Sequence, residues 1–147
     1  MDEDFGVHHV DWSSDGARGL LSLPDGTRQQ FFLPDAKAFE LPALALAAAS
    51  LSRLQPELAL PLDPVPRPNL PCRFEVRTER DGHVLILDGA HTEDSLRAVV
   101  VEMQRRYPGK MPCVLTSLAA GKRWKEALSE VLPIADSVVV TELTGTP

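Results

Sequence analysis

Apolar runs and turn residues alternate from Arg73 onward. The segment RFEVRTERDGHVLILD predicts one strand, a turn at Asp81-Gly82, and a second strand, Val84–Leu87, whose unbroken apolar run indicates burial on both faces. The next segment has apolar residues at helical spacing, which predicts an amphipathic helix. Its apolar stripe consists of Leu96, Val99, Val100, Met103 and Tyr107.

The same pattern then repeats. Strands are predicted at Pro112–Thr116 and Ser137–Leu143, with a helix between them. The apolar face of this helix consists of Trp124, Ala127, Leu128, Val131 and Leu132. Alternating strands and helices predict right-handed crossovers and a Rossmann-like parallel sheet, so the fold class is α/β. Three parallel strands leave an open sheet edge, and we expect a neighbouring lobe or further chain to cover it.

The first half of the chain has a different pattern. Arg18–Leu33 reads as two strands around Pro24-Asp25-Gly26, which predicts a hairpin. Glu40–Leu54 is rich in Ala and Leu on nearly all faces and predicts a mostly buried helix. Six prolines between Gln55 and Cys72 favour extended backbone, which predicts a linker.

Composition narrows the classes of function. The 147 residues are 44% hydrophobic, enough for a real core, and the formal net charge is −6. No basic run accompanies this charge, which argues against a nucleic-acid surface or a polybasic membrane anchor. No apolar run approaches a membrane span, and the start of the chain lacks the apolar core of a secretory signal. Cys72 and Cys113 are not at zinc-ligand or disulfide-scaffold spacing, so we expect free thiols in the cytoplasm.

Candidate chemistry lies where strand Val84–Leu87 ends. Asp88 and His91 are expected at the carboxyl edge of the sheet, where open α/β folds bind ligands. A carboxylate there can bind a ribose diol, and the short Gly89 allows a ligand or a facing backbone to come close. Thr92 can cap the helix that follows, whose amino terminus favours a phosphate or carboxylate. The plain alternative is that Asp88 only forms the turn.

Basic residues are the other candidates. Arg73 could stack on a nucleotide base opposite Asp88, or it could form a salt bridge to Glu75 or Asp88. Lys122, in the sequence GKR, could contact an anion or could be part of a solvated helix start. The pair His8-His9 has no carboxylate or thiol at ligand spacing, so no metal site is predicted.

Taken together, these motifs resemble a known family. The segments LPCRFEV, VLILDGAHTEDSLRAVV, GKRW and LPIADSVVVTEL look like the carboxy-terminal part of folylpolyglutamate synthase/dihydrofolate synthase, in the Mur ligase superfamily. The upstream FELPALALAAASL is similar to the helix that closes the central ATPase domain of that family. The chain differs from the family pattern at Cys72, Thr92 and Arg123, where Gly, Asn and Asp are usual. His91-Thr92 is also similar to the muramyl tripeptide ligases.

The resemblance implies an ATP-dependent amide ligase that uses Mg²⁺ and joins glutamate to a folate or pteroate carboxylate through an acyl phosphate. By position, Arg73 and Asp88 match nucleotide-binding residues of the family, and His91 matches a histidine beside the reaction centre. Thr92 would lie near the phosphate or amino acid, and Lys122 matches a loop lysine. The implied domains are the end of the central domain at 1–55, the linker at 56–71, and an incomplete Rossmann-like domain at 72–147.

The sequence contains no G-x-x-x-x-G-K-[ST] loop to hold ATP phosphates. We therefore expect a P-loop domain or partner chain to supply it, and we expect no catalysis and no strong cofactor binding by this chain alone. The competing hypothesis is a non-catalytic module that binds nucleotide weakly or pairs with another protein. An open sheet edge also makes self-association a possibility.

Overall fold

The computed structural model describes residues 5–68, 70–117 and 123–141. Within it the chain divides into two compact units, Met1–Asn69 and Leu70–Pro147. No helix in the described part is long and apolar enough to cross a membrane. The two units differ in architecture and are described separately.

The first unit contains a three-stranded antiparallel sheet. Its strands are β1 (Gly6–Ser13), β2 (Gly16–Ser22) and β3 (Arg28–Pro34), in the order β1-β2-β3. The predicted hairpin is confirmed as β2–β3, and its turn is held by a 2.8 Å hydrogen bond from the Thr27 backbone nitrogen to Asp25. Strand β1 was not predicted. It pairs with β2, and its register shifts between His8 and Asp11.

Helix α1 (Leu41–Leu54) follows a short 3-10 helix at Ala38–Glu40. The helix itself was predicted correctly, but the expectation that it is mostly buried is wrong. Only Ala45, Ala48 and Ala49 are buried, while three leucines are at least 40% exposed, namely Leu46, Leu51 and Leu54. A helix beside one small sheet buries one face, so the apolar composition of its other faces does not lead to burial here.

The proline-rich segment takes part in the first unit. Leu62 is buried in its core. The backbone of Phe32 donates a 2.8 Å hydrogen bond to Leu62 and accepts one of 2.8 Å from Val65, so the segment pairs with the outer edge of β3. Arg67 reinforces this arrangement by donating to the carbonyl oxygens of Pro34 and Asp35, each at 2.6 Å. The segment expected to be a linker thus also covers a sheet edge that would otherwise be open.

The second unit begins with an antiparallel hairpin of β4 (Glu75–Thr78) and β5 (Val84–Leu87). Its turn contains Gly82 in the left-handed region, at φ 84°. Helix α2 (Glu93–Arg106) follows β5. The two strands predicted on either side of Asp81-Gly82 are both present, and so is the amphipathic helix. Met103 of the predicted apolar stripe is buried.

The rest of the second unit is a parallel β-α-β arrangement. It consists of β6 (Cys113–Thr116), α3 (Trp124–Val131), a 3-10 helix at Leu132–Ile134, and β7 (Ser137–Val140), which runs parallel to β6. Helix α3 packs on α2, and Arg97 of α2 forms a 2.9 Å ion pair with Glu130 of α3. The predicted α/β class with a parallel sheet is confirmed.

Two details of that prediction need correction. Among the described strands, the parallel ladder joins β6 to β7, whereas β5 pairs with β4 in a separate two-stranded sheet. The expected burial of both faces of Val84–Leu87 is wrong, because Val84 is 48% exposed and Leu85 is 42% exposed. An apolar run favours burial, but burial also requires other elements that pack against the strand. In the part of the chain that the structure describes, no such elements cover Val84 and Leu85 fully.

Candidate functional site

Asp88 lies directly after β5 and is half-buried. Its Oδ2 atom accepts a 2.7 Å hydrogen bond from the backbone nitrogen of Phe74, and its Oδ1 atom accepts one of 2.6 Å from the backbone nitrogen of Ala90. The second contact is the local turn predicted as the plain alternative. The first joins the end of β5 to the residues before β4. Each oxygen still has lone-pair capacity for a further donor.

The loop that faces Asp88 has an unusual backbone. Cys72 and Phe74 both lie in the left-handed region, at φ 56° and 49°. Such a conformation costs energy in a non-glycine residue, so surrounding contacts must hold it. The carbonyl oxygen of Cys72 accepts a 2.9 Å hydrogen bond from the Gly89 nitrogen, and the Cys72 nitrogen donates to Glu75 at 3.0 Å. The loops at 72–74 and 88–90 therefore hold each other in place.

Arg73 lies between these two left-handed residues, and its side chain is exposed. The salt bridges considered as the plain alternative are not formed among the described residues, since Glu75 pairs with Arg77 at 2.7 Å and Asp88 accepts backbone donors. The pKa of Glu75 is lowered, first by the hydrogen bond from the Cys72 backbone and then by Arg77. Arg73 thus directly precedes the residue whose backbone binds Asp88, and a contact from Arg73 to a nucleotide stays a prediction.

His91 is exposed at the start of the next element. Its Nδ1 atom lies 3.0 Å from the carbonyl oxygen of Gly89. Because a carbonyl can only accept, this contact selects the form of the neutral ring with hydrogen on Nδ1. Nε2 then carries a lone pair and can accept a hydrogen bond or a proton.

Thr92 caps helix α2, as predicted. Its side-chain oxygen accepts a 3.3 Å hydrogen bond from the Ser95 nitrogen, while the Ser95 hydroxyl accepts from the backbone nitrogens of Thr92 and His91 at 3.0 and 3.1 Å. Several of the donors that could bind an anion are therefore used within the turn. Glu93 and Asp94 also lie in the first helical turn and add negative charge there. A contact from Thr92 to a phosphate or amino acid stays a prediction.

The remaining candidate residues do not converge on this loop. Lys122 lies outside the described residues. Its neighbour Arg123 directly precedes α3 and pairs with Glu126 at 3.1 Å, which agrees with the plain alternative of a solvated helix start. His8 and His9 lie on β1 in the first unit. No group of three metal-ligating side chains is found in the described part of the chain.

Two contributors to the site were not found from the sequence. Phe74 supplies the backbone donor to Asp88, and Ser95 organises the backbone of His91 and Thr92. A serine three residues after a threonine at a helix start resembles a capping box, and this spacing could have indicated the role of Ser95. No sequence signal marks Phe74, because large aromatic residues rarely adopt positive φ.

Comparison with known proteins places the second unit in a family. Residues 72–147 match the family model described as "Mur ligase, glutamate ligase domain". No curated protein sequence matches the chain.

Solved structures extend the likeness to the first unit. The chain is similar to Mycobacterium tuberculosis folylpolyglutamate synthase complexed with ADP, with 20% identity, a TM-score of 0.75, and coverage of 99% of this chain and 33% of that one. The Thermotoga maritima folylpolyglutamate synthase is 19% identical with a TM-score of 0.65, and the match covers 96% of this chain and 34% of that one. The Lactobacillus casei folylpolyglutamate synthetase is 19% identical with a TM-score of 0.67, and the match covers 99% of this chain and 36% of that one. The chain spans about a third of the length of these structures, and the likeness concerns the fold.

Proposed function

The chain belongs to the Mur ligase family, and on this basis we propose that it is the part of an ATP-dependent amide ligase that contacts the nucleotide and the incoming amino acid. The observation that carries the proposal is the pair of interlocked loops at 72–74 and 88–90. These loops hold the Asp88 carboxylate in place. Arg73 lies in the first loop, His91 directly follows the second, and both residues are exposed. Positioned groups of this kind act by orientation and electrostatic stabilisation.

In this proposal Asp88 and Arg73 bind the nucleotide. The two oxygens of Asp88 keep acceptor capacity beyond their backbone donors, which suits the two hydroxyls of a ribose. The planar guanidinium of Arg73 can stack on a base or pair with a phosphate. A structure similar in fold, the Mycobacterium tuberculosis enzyme, was obtained with ADP, which supports a nucleotide as the ligand class.

His91 would act on the amino acid. In the proposed ligation a carboxylate receives the terminal phosphate of ATP, the amine nitrogen attacks the acyl carbon, and phosphate leaves as the C–N bond forms. The attacking amine loses one proton in that step. With Nδ1 bound to the Gly89 carbonyl, Nε2 of His91 is the atom that can orient the amine or accept this proton. Glutamate and a folate-type carboxylate are the proposed substrates, by likeness to the folylpolyglutamate synthases.

The phosphate-binding loop and the Mg²⁺ ligands would come from another part of the enzyme or a partner chain. The first unit has an apolar surface suited to that partner, a groove of about 1150 Å³ between β1 and α1. It includes Phe5, Val10 and the exposed Leu46 and Leu54. We propose that the P-loop-bearing part of the ligase packs against this groove, because exposed apolar surface of this kind favours a protein contact.

Calorimetric titration of the 147-residue chain with ADP and Mg-ATP tests the nucleotide site. We expect weak binding that Arg73→Gln reduces. Arg80→Gln is the matched control, because Arg80 has the same charge and lies in the turn at the opposite end of the β4–β5 hairpin. Equal loss in both variants, or no binding by the wild-type chain, would contradict the proposal and favour a non-catalytic interaction module. A single-turnover assay with glutamate and a folate is expected to give no product until a P-loop-bearing partner is added.

A further inference from the structure

The last turns of helix α2 contain a buried acid. Glu102 is fully buried, at 0% exposure. Its Oε1 atom accepts hydrogen bonds from Nη2 of Arg105 and Nε of Arg106, both at 2.6 Å, and its Oε2 atom accepts one from Nε of Arg105 at 3.0 Å. A buried carboxylate must be paired with positive charge, so both guanidinium groups are held in fixed positions.

Neutralising Glu102 does not by itself require Arg106. Arg105 already contacts both carboxylate oxygens in the two-pronged geometry that suits this pair. Arg106 makes a second contact that leads toward the candidate site. Its Cζ atom lies 5.5 Å from the centre of the Phe74 ring, within the range of a cation–π interaction.

Phe74 connects this contact to Asp88. Its side chain is 1% exposed, its φ is 49°, and its backbone nitrogen donates the 2.7 Å hydrogen bond to Asp88. A buried aromatic residue in the left-handed region keeps that conformation only when its surroundings hold it. The ring is held on the Arg106 side and the backbone on the Asp88 side, so displacement of the ring would also displace the hydrogen-bond donor.

We propose that Arg106 is a positioning residue for the edge formed by Arg73 and Asp88. Buried Glu102 fixes Arg106, Arg106 fixes the Phe74 ring, and the Phe74 backbone fixes both the Asp88 carboxylate and the adjacent Arg73. Arg106 itself need not touch a ligand. The functional part of this inference rests on the proposed nucleotide site, whereas the coupling between Arg106 and Asp88 is a property of the ligand-free chain.

The test combines backbone amide exchange with ADP titration of the whole chain. In Arg106→Gln we expect the Phe74 amide to exchange about tenfold faster and ADP affinity to fall about tenfold. Lys110→Gln is the matched control, since it removes one positive charge shortly after α2 and should leave both values at wild type. Arg106→Lys keeps a cation near the ring and should recover part of both.

A folded Arg106→Gln variant with wild-type exchange at Phe74 would overturn the inference, and so would faster exchange with wild-type ADP affinity. If the wild-type chain binds no ADP, the proposed function fails, while faster Phe74 exchange in Arg106→Gln still supports the coupling. If circular dichroism shows that Arg106→Gln is unfolded, Phe74→Leu replaces it. That variant keeps an apolar side chain and removes the ring, so faster Ala90 exchange supports the inference and wild-type exchange overturns it.

Discussion

The Oδ2 atom of Asp88 lies 2.7 Å from the backbone nitrogen of Phe74, so the acid that follows β5 also fixes the loop before β4. The functional and the structural readings of Asp88 are therefore not exclusive. A ligand that binds this carboxylate would meet a group already oriented by two backbone donors, one on each oxygen. Preorganisation of this kind lowers the cost of binding, because the side chain has little freedom left to lose.

Asp88→Asn separates the two roles. An amide has one acceptor oxygen, so one of the two backbone donors loses its partner, and we expect the free energy of unfolding to fall by about 1–2 kcal/mol. Urea denaturation measures this. ADP affinity should fall as well, since the charge is lost. Asp81→Asn is the control, because Asp81 accepts from the His83 backbone in an exposed turn. Equal losses of stability in the two variants would contradict a special role for the bond to Phe74.

Cys72→Gly is expected to stabilise the chain. Cys72 has φ 56°, which glycine adopts without steric cost. Its two hydrogen bonds, from the Gly89 nitrogen and to the Glu75 carboxylate, use the Cys72 backbone and would remain. The release of strain exceeds the added entropy of the unfolded chain, and we expect a gain of up to about 1 kcal/mol in unfolding free energy. Cys113→Ser controls for removal of an exposed thiol. A loss of stability in Cys72→Gly would show that the side chain matters more than the backbone angle.

Local signals explain what the sequence predicted well. The turn at Asp25-Gly26 and the cap at Thr92 depend on a few adjacent residues, and both were predicted at the right positions. The positive φ of Cys72 was not predicted, although glycine, which the family pattern has at this position, adopts such an angle without steric cost. The roles of Arg73 and His91 stay predictions, and the 3.0 Å contact from His91 to the Gly89 carbonyl oxygen could not be derived from spacing.

Long-range pairing explains what was missed. The alternation of β1 is broken by the register shift between His8 and Asp11, so its strand pattern is hidden in the sequence. The burial of Glu102 depends on two arginines that neutralise it, and a charged residue gives no apolar signal. The left-handed Phe74 is stable because of Asp88, fourteen residues away, which no local propensity describes.

Acid should weaken the loop at 72–75. The backbone of Cys72 and then Arg77 lower the pKa of Glu75, so the folded chain binds this proton less readily than the unfolded chain. The contribution of Glu75 to stability is therefore fully present above the ordinary glutamate pKa of about 4.3 and is lost as the pH falls through the lower folded value. Urea denaturation of wild type and Glu75→Gln should differ at pH 7 and converge toward pH 3. A difference that grows in acid would reverse the sign of this linkage.

Gly89→Ala tests whether a ligand approaches the loop after β5. A methyl group at this position would lie 3.7 Å from the Cys72 carbonyl oxygen, an ordinary van der Waals distance, so the fold has room for it. We therefore expect the unfolding free energy to stay within about 0.5 kcal/mol of wild type. A nucleotide or amino acid that lies against Gly89 would meet the added methyl group, and its affinity should fall about tenfold.

The control for this variant is Ala90→Ser, a small change at the next residue that keeps the backbone donor to Asp88. Gly109→Ala is a poor control because Gly109 has φ 73°. Wild-type affinity in Gly89→Ala would place the ligand away from this loop, and a large loss of stability would show that the turn tolerates a side chain less well than the 3.7 Å distance indicates.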